Sequence, residues 1–259
     1  MKWRFTLSTA FEFSSPVTQH VFRLRPVPAN LPGQRVLCAQ VRTNSPQPLA
    51  CTLDPVRGNA TWTGRFDDAH EVLLVESSGV VETGFAEKGE LPAQPYFVFP
   101  TPLTRPGAAL LALWERLRGT LAGHPRQDAL SLMHGVYAAM RYRSGATNTR
   151  TTGEQALAMG EGVCQDYAHV LISLLRLAGI PALYVAGLVR GTGATHAWVH
   201  AWIDERWVGL DPTHDSSAEG PYVVLARGCD FKEAALDQGI FWGTARQVVR
   251  TQALVEPFE

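Results

Sequence analysis

The hydrophobic pattern changes period along the chain. Up to about residue 95, apolar and β-branched residues come in short runs, VFRLRPV, RVLCAQV and EVLLVESSGVVET, several with two-residue alternation. That period places one set of side chains on one face of a strand. Turn-forming pieces, PANLPGQ, TNSPQP and DPVRGNA, separate the runs. Many short strands punctuated by Gly and Pro predict an all-β, sandwich-like or barrel-like domain over residues 1–95.

The segment LPAQPYFVFPTPLTRPG holds five prolines. Proline lacks an amide donor and breaks both helix interiors and central strands, so residues 96–106 read as a linker. Beyond it, AALLALWERLRGTLAG and RQDALSLMHGVYAAMRYR repeat apolar positions three and four residues apart, the period of amphipathic helices. Thr151 and Glu154 have capping-box spacing and predict a short helix over EQALAMG. Another helix is expected from near Val163 to about Ala178, stopped by Gly179. From Pro181 the runs ALYVAGLVR, THAWVHAWID, RWVGLD and PYVVLAR predict strands. Helices followed by an antiparallel-looking sheet predict an α+β catalytic domain over residues 107–259.

Composition narrows the function. Apolar residues make up 46% of the chain and charged residues 18%, enough for a large core. A net charge of −1 gives no footprint for nucleic acid or an anionic membrane. The longest apolar tract, residues 170–189, is broken by Arg176, Gly179 and Pro181, so no membrane span is expected. The opening MKWRFTLSTAFEFSS lacks the continuous apolar core of a signal peptide. The four cysteines, Cys38, Cys51, Cys164 and Cys229, form no C-x-x-C pair and no disulfide framework. A reducing, cytoplasmic setting with free thiols follows as the expectation.

Cys164 stands out among the four. It falls in the first turn of an expected helix, where unpaired backbone N–H groups favour a thiolate. Its own N–H is placed to donate to an oxyanion. Gly160 and Gly162 are expected to leave backbone room for a substrate. THAWVHAWI then supplies a histidine on a strand, and WVGLDPTHD an aspartate at a strand end. Nucleophile, base and orienting carboxylate thus come in the order Cys, His, Asp.

Three segments carry a resemblance: GEGVCQDYAHVLISLLRLAGIPALYVAG, THAWVHAWI and RWVGLDPTH. Over about residues 107–215 they resemble the core of the transglutaminase-like superfamily of papain-like thiol enzymes. That family has Gly-x-Cys-x-Asp at a helix start, then Leu-Leu-Arg-x-x-Gly-Ile-Pro-Ala, a Ser/Thr-His-Ala-Trp strand and a Gly-x-Asp-Pro-Thr strand end. SSPVTQHVFRLRP, DPVRGNAT and HEVLLVESSGVVET resemble, more loosely, the β-domain that precedes this core in bacterial members. The resemblance implies Cys164 as nucleophile, His196 as general base and acid, and Asp211 as orienting carboxylate. It implies acyl chemistry on a peptide or protein amide without a cofactor. Hydrolysis, as in a cysteine peptidase or amidase, is the leading reading. Transfer of the acyl group to an amine and a non-catalytic interaction module are the alternatives. No loop shows calcium-ligand spacing. Substrate identity and oligomeric state are outside what the chain encodes legibly.

Other groups compete for attention. His196 and His200 would share one face of a strand with Trp198 and Trp202, so both histidines are placed at one cleft and both tryptophans along its wall. His200 stands where relatives often have an acidic residue. A metal site from His196, His200, Asp211 and His214 is the rival reading. Four residues of strand span about 13 Å, too far for His196 and His200 to share one ion, so no metal is expected. Asp166 is read as a structural hydrogen-bonding residue and His169 as a packing residue. Tyr142 is a candidate for lining the site, and His20, His70, His124 and His134 have no recognisable partners.

Overall fold

The computed structural model describes residues 1–84 and 93–259. The first part of the chain forms β1 (Lys2–Leu24), β2 (Gln34–Thr43), β3 (Ala50–Leu53), β4 (Ala60–Phe66) and β5 (His70–Thr83). The middle holds α1 (Ala108–Arg118), α2 (Pro125–Ala139), β6 (Arg141–Tyr142), α3 (Gly153–Met159), β7 (Glu161–Gly162) and α4 (Cys164–Leu177). The last third is β8 (Ala182–Val189), β9 (Gly191–Gly193), β10 (His196–Ile203), β11 (Arg206–Asp211), β12 (Ser216–Ser217), β13 (Tyr222–Gly228), α5 (Phe231–Ala234), β14 (Asp237–Trp242) and β15 (Gln247–Pro257).

β1 is the spine of the first layer. Its Trp3, Phe5, Leu7, Phe11 and Phe13 are buried, while alternate residues face outward. This is the two-residue period of a half-buried strand. The first half of β1 is sandwiched between β5 and β15 in the order β2-β5-β1-β15-β9. Pairing with β5 breaks between Glu12 and Val17, and the second half of β1 pairs instead with β4 and β14. The two halves enclose Phe11, Phe13, Val17, Phe22, Leu24, Leu73 and Val75. A sandwich-like β layer is thus present, as the strand pattern predicts.

The second layer is an antiparallel sheet in the order β12-β11-β10-β8-β13. Val170, Leu171, Leu174 and Leu175 of α4 pack on Ala182, Tyr184 and Ala186 of β8 and on Ala197, Val199 and Ala201 of β10. The small side chains let helix and sheet approach closely. Leu110, Leu113, Leu132, Met133 and Val136 of α1 and α2 complete this core.

Two boundaries differ from the sequence reading. β14 and β15 lie beyond residue 107 yet belong to the first sheet, with β15 paired to β1 from Trp3–Pro257 to Phe13–Gln247. Strand pairing at this separation has no local signal, which is why a division at the Pro-rich segment misses it. The layers also share a core: Trp3, Phe5, Leu7 and Val81 pack with Leu188, Val223 and Leu225. Each such side chain contributes roughly 1.5–3 kcal/mol when buried. Two side-chain amides clamp the seam. Gln34 donates to the Val224 carbonyl at 2.8 Å and accepts from its N–H at 2.7 Å. Asn59 does the same for Arg227, at 2.7 and 2.8 Å.

The Pro-rich segment, described from residue 93, is a fixed strap. Arg176 is the anchor, donating to the carbonyls of Phe97, Ala182 and Cys229 and to Thr104 Oγ1 at 2.7–3.1 Å. The cap of α3 is shifted by one residue from expectation. Thr152 accepts from the Gln155 N–H and Gln155 accepts from the Thr152 N–H. Glu154 instead accepts from the N–H groups of Gly107, Ala109 and Leu110, capping α1 from outside. No described helix is long and apolar enough to cross a membrane.

Candidate active site

Cys164 is the first residue of α4 and is half-buried. The turn before it is held by Asp166, whose fully buried carboxylate accepts from the Val163 N–H at 2.8 Å and the Thr147 hydroxyl at 2.6 Å. Burial raises the Asp166 pKa against the pull of those bonds. Asp166 is therefore the structural residue its position predicts. The glycines have a different role from the expected one. A Cβ at Gly162 would stand 2.6 Å from Asp166 Oδ2, so the space beside Gly162 belongs to that carboxylate. Gly160 ends α3 in the left-handed region at φ 69°, where glycine is favoured.

His196 opens β10 and Asp211 closes β11, so the antiparallel pairing brings them to one end of the sheet. His196 Nε2 donates to Asp211 Oδ2 at 2.7 Å. The other ring nitrogen is left for the thiol, and His196 and Cys164 line the same cleft. Burial pushes the imidazole down, but the bonds to Asp211 and Cys164 and their negative charges outweigh it and raise its pKa to about 9. Cys164 and His196 thus share one cleft, with Asp211 bonded to the imidazole.

Asp211 is fully buried. Burial alone would raise its pKa; hydrogen bonds from His196, His214 and Tyr222 and the His196 charge hold it well below the usual carboxylate range. His214 Nδ1 donates at 2.7 Å and Tyr222 Oη at 2.8 Å, both to Oδ2, while the Thr213 N–H reaches Oδ1 at 2.9 Å. The Tyr222 contact has no signal in the sequence, because Tyr222 sits two strands away from β11. His214 follows Asp211 in DPTH, a spacing that a tight turn brings back on itself.

The rival metal set divides. His196, Asp211 and His214 gather their ligand atoms within 4.8 Å. Both imidazoles point a ring nitrogen at the same carboxylate oxygen, the geometry of N–H donors rather than of lone pairs aimed at a common ion. His200 is elsewhere. It lines a separate cavity with Trp198, Tyr222 and Arg227, its Nδ1 is buried without a partner, and burial lowers its pKa to about 3. Trp198 lines that second cavity too, packed on Ala29, Leu31 and Val224, so it is no wall of the Cys164 cleft. Trp202 stacks edge-on against Trp207.

Other expectations resolve as follows. His169 is fully buried, accepts from the Phe231 N–H at 3.2 Å, and has its pKa lowered to about 3 by burial. Tyr142 is exposed beside Tyr167, and burial and the charge of Cys164 raise its phenol. His20 and His70 are partners, 3.2 Å apart, and His134 contacts Asp215.

Cys164 and His196 open onto a cleft of about 220 Å³. One side is Val163, Gln165, Tyr184, Thr195 and Phe231 of the α+β layer. The other is Leu7, Thr9, Phe11, Leu24 and Arg25 of β1 and its continuation, with Thr251 of β15. The β layer is therefore a wall of the cleft, which no local pattern in the first 95 residues announces.

Residues 116–212 match the model of the transglutaminase-like superfamily, and residues 4–82 match the bacterial transglutaminase-like N-terminal region. An uncharacterized protein of Mycobacterium tuberculosis is 26% identical over 100% of this chain and 93% of its own length. A Pseudomonas aeruginosa protein-glutamine gamma-glutamyltransferase is 37% identical over 22% of this chain and 11% of its own. The fold is that of a candidate cysteine protease from Cytophaga hutchinsonii, with 20% identity, a TM-score of 0.79, and coverage of 100% of this chain and 92% of that one. With the core and the N-terminal region both matched, this chain belongs to the transglutaminase-like superfamily.

Proposed function

We propose that the protein is a thiol enzyme that opens an amide or isopeptide bond and hydrolyses it, as a cysteine peptidase or amidase. The observation that carries this reading is His196 bonded to the buried, ionised Asp211 while it lines one cleft with Cys164. The Cys164 thiolate adds to the carbonyl carbon, and the Cys164 N–H at the start of α4 faces the developing oxyanion. His196 passes its proton to the leaving amine as the C–N bond breaks, and a thioester remains. Water then gives a proton to His196 and adds to the thioester, and the acid leaves while Cys164 is restored. Asp211 keeps one imidazole orientation throughout by accepting from Nε2.

An amine in place of water would give transamidation. The likeness to the Pseudomonas gamma-glutamyltransferase favours keeping that outcome in the test. The test is alkylation by iodoacetamide near neutral pH with peptide mapping, followed by a peptide and amine library read by mass spectrometry. Cys164 is expected to label faster than the exposed Cys38 and Cys51, and Cys164→Ala to abolish turnover while leaving those two labelled. Identical labelling in wild type and variant, confined to the other cysteines, would sink the reading. Products heavier by the amine, in place of water, would change it to transfer.

A further inference from the structure

The same cleft holds an acidic residue with no structural employment. Asp237 is the first residue of β14, where its backbone pairs with Leu24 of β1. Asp237 lines the cleft with Cys164 and His196. Among the described residues the carboxylate has no hydrogen-bond or ion-pair partner. Crowding by protein raises its pKa, and no neighbouring charge offsets that. The residue nevertheless stays open to water. A carboxylate in that position is unpaired and reachable, which leaves it free to bind a cation from solution.

The cation already in the cleft does not serve it. Arg25 is buried, and it donates from Nη1 to the Ala235 carbonyl at 2.6 Å and from Nε to Thr61 Oγ1 at 3.3 Å. Those bonds hold it against the α5–β14 connection and the β4 edge. Across the rest of the cleft the lining is apolar or hydroxylic, with Leu7, Phe11, Thr9, Thr195 and Thr251 among it. A substrate that crosses from Cys164 toward β14 thus meets one unpaired carboxylate.

We infer that Asp237 is a specificity-determining residue that binds an ammonium group on the substrate, such as a lysine-like side chain or a free α-amine next to the scissile amide. This rests on the thiol chemistry proposed above and names the chemical class of substrate for that same site. It also gives β14 a role in recognition. β14 carries the one acidic lining residue beside the apolar and hydroxylic wall of β1, so the β layer selects substrate while the α+β layer supplies the reacting groups.

The substrate need not be known for a test. Wild type and Asp237→Asn are alkylated with neutral iodoacetamide and with haloacetamides that carry a primary ammonium on linkers of graded length. The ratio of the two rates at Cys164 is compared between proteins, which cancels the intrinsic reactivity of each probe. The ammonium probes are expected to gain about tenfold in wild type relative to Asp237→Asn at the linker length that reaches, with the neutral rate unchanged. Asp237→Lys should move the preference toward iodoacetate. Because the Asp237 side chain bonds to nothing, both variants should keep the wild-type melting temperature. If iodoacetamide labels Cys164 and the ammonium preference is the same in wild type and Asp237→Asn, the inference falls and the thiol chemistry stands. If iodoacetamide leaves Cys164 unlabelled in wild type, both fall.

Discussion

The sheet around β10 and the layer around β1 bury their apolar faces against different kinds of partner. In the first, α4 follows β7 closely and folds onto β8 and β10, so neighbours in sequence become neighbours in space. In the second, β1 is covered by β15, from the opposite end of the chain, and its core is finished by Leu188, Val223 and Leu225 of the other sheet. Local assembly leaves motifs, because cap, nucleophile and helix must stand at fixed spacing. Distant assembly leaves only alternation. The cleft lies where the two meet, so Cys164 and His196 come from the motif-rich layer and much of its wall from the other.

Separating the layers should have the largest effect. Residues 107–259 expressed alone would lose the partner of β15 and expose the shared core, and should give no cooperative thermal transition by circular dichroism. A sharp melt of that fragment would mean that the α+β layer is self-sufficient and that the seam is an ordinary domain contact.

Loosening the seam should have a smaller effect. Gln34→Ala and Asn59→Ala each remove two buried hydrogen bonds to the backbone of β13, at a cost of about 1–3 kcal/mol per variant. The double variant should lower the urea midpoint by about the sum of the single effects, since the two clamps hold different residues of β13. A loss much larger than the sum would show that one clamp supports the other.

The smallest effect belongs to the site itself. The folded pKa of His196, about 9, lies above its ordinary 6.5. Its contribution to stability is therefore complete below about 6.5 and is lost as pH rises through about 9. Urea melts of wild type should show that decline, and Asp211→Asn should flatten it, because the carboxylate that holds the proton on His196 is gone. An unchanged decline in Asp211→Asn would assign it to other groups.

Much of the α+β layer is legible in the chain. VCQDYAHVLISLLRLAG reads as a helix that begins at a cysteine, and it does; THAWVHAWI and RWVGLD read as strands, and they are. Of Cys164, His196 and Asp211, named from separated motifs, the last two are hydrogen-bonded and the first two line one cleft. The errors fall where contact decides identity. His196 and His200 share a strand face by period, yet His196 sits at the strand end beside Cys164 and His200 within the sheet against Tyr222 and Arg227. Glycines beside a nucleophile suggest room for substrate, but Asp166 already occupies the space next to Gly162.

The sequence by itself determined the elements of the α+β layer, the place of the thiol at a helix start, and the places of His196 and Asp211 at strand ends. These depend on spacing within a few residues and on chemistry that tolerates few side-chain types. The tertiary structure decided which strands complete the first sheet, what surrounds Asp211, and which residues face the thiol across the cleft. Those outcomes depend on pairing between segments as far apart as Trp3 and Pro257. Such pairing is selected by the total apolar surface buried, a sum over the whole chain that no short stretch of sequence carries.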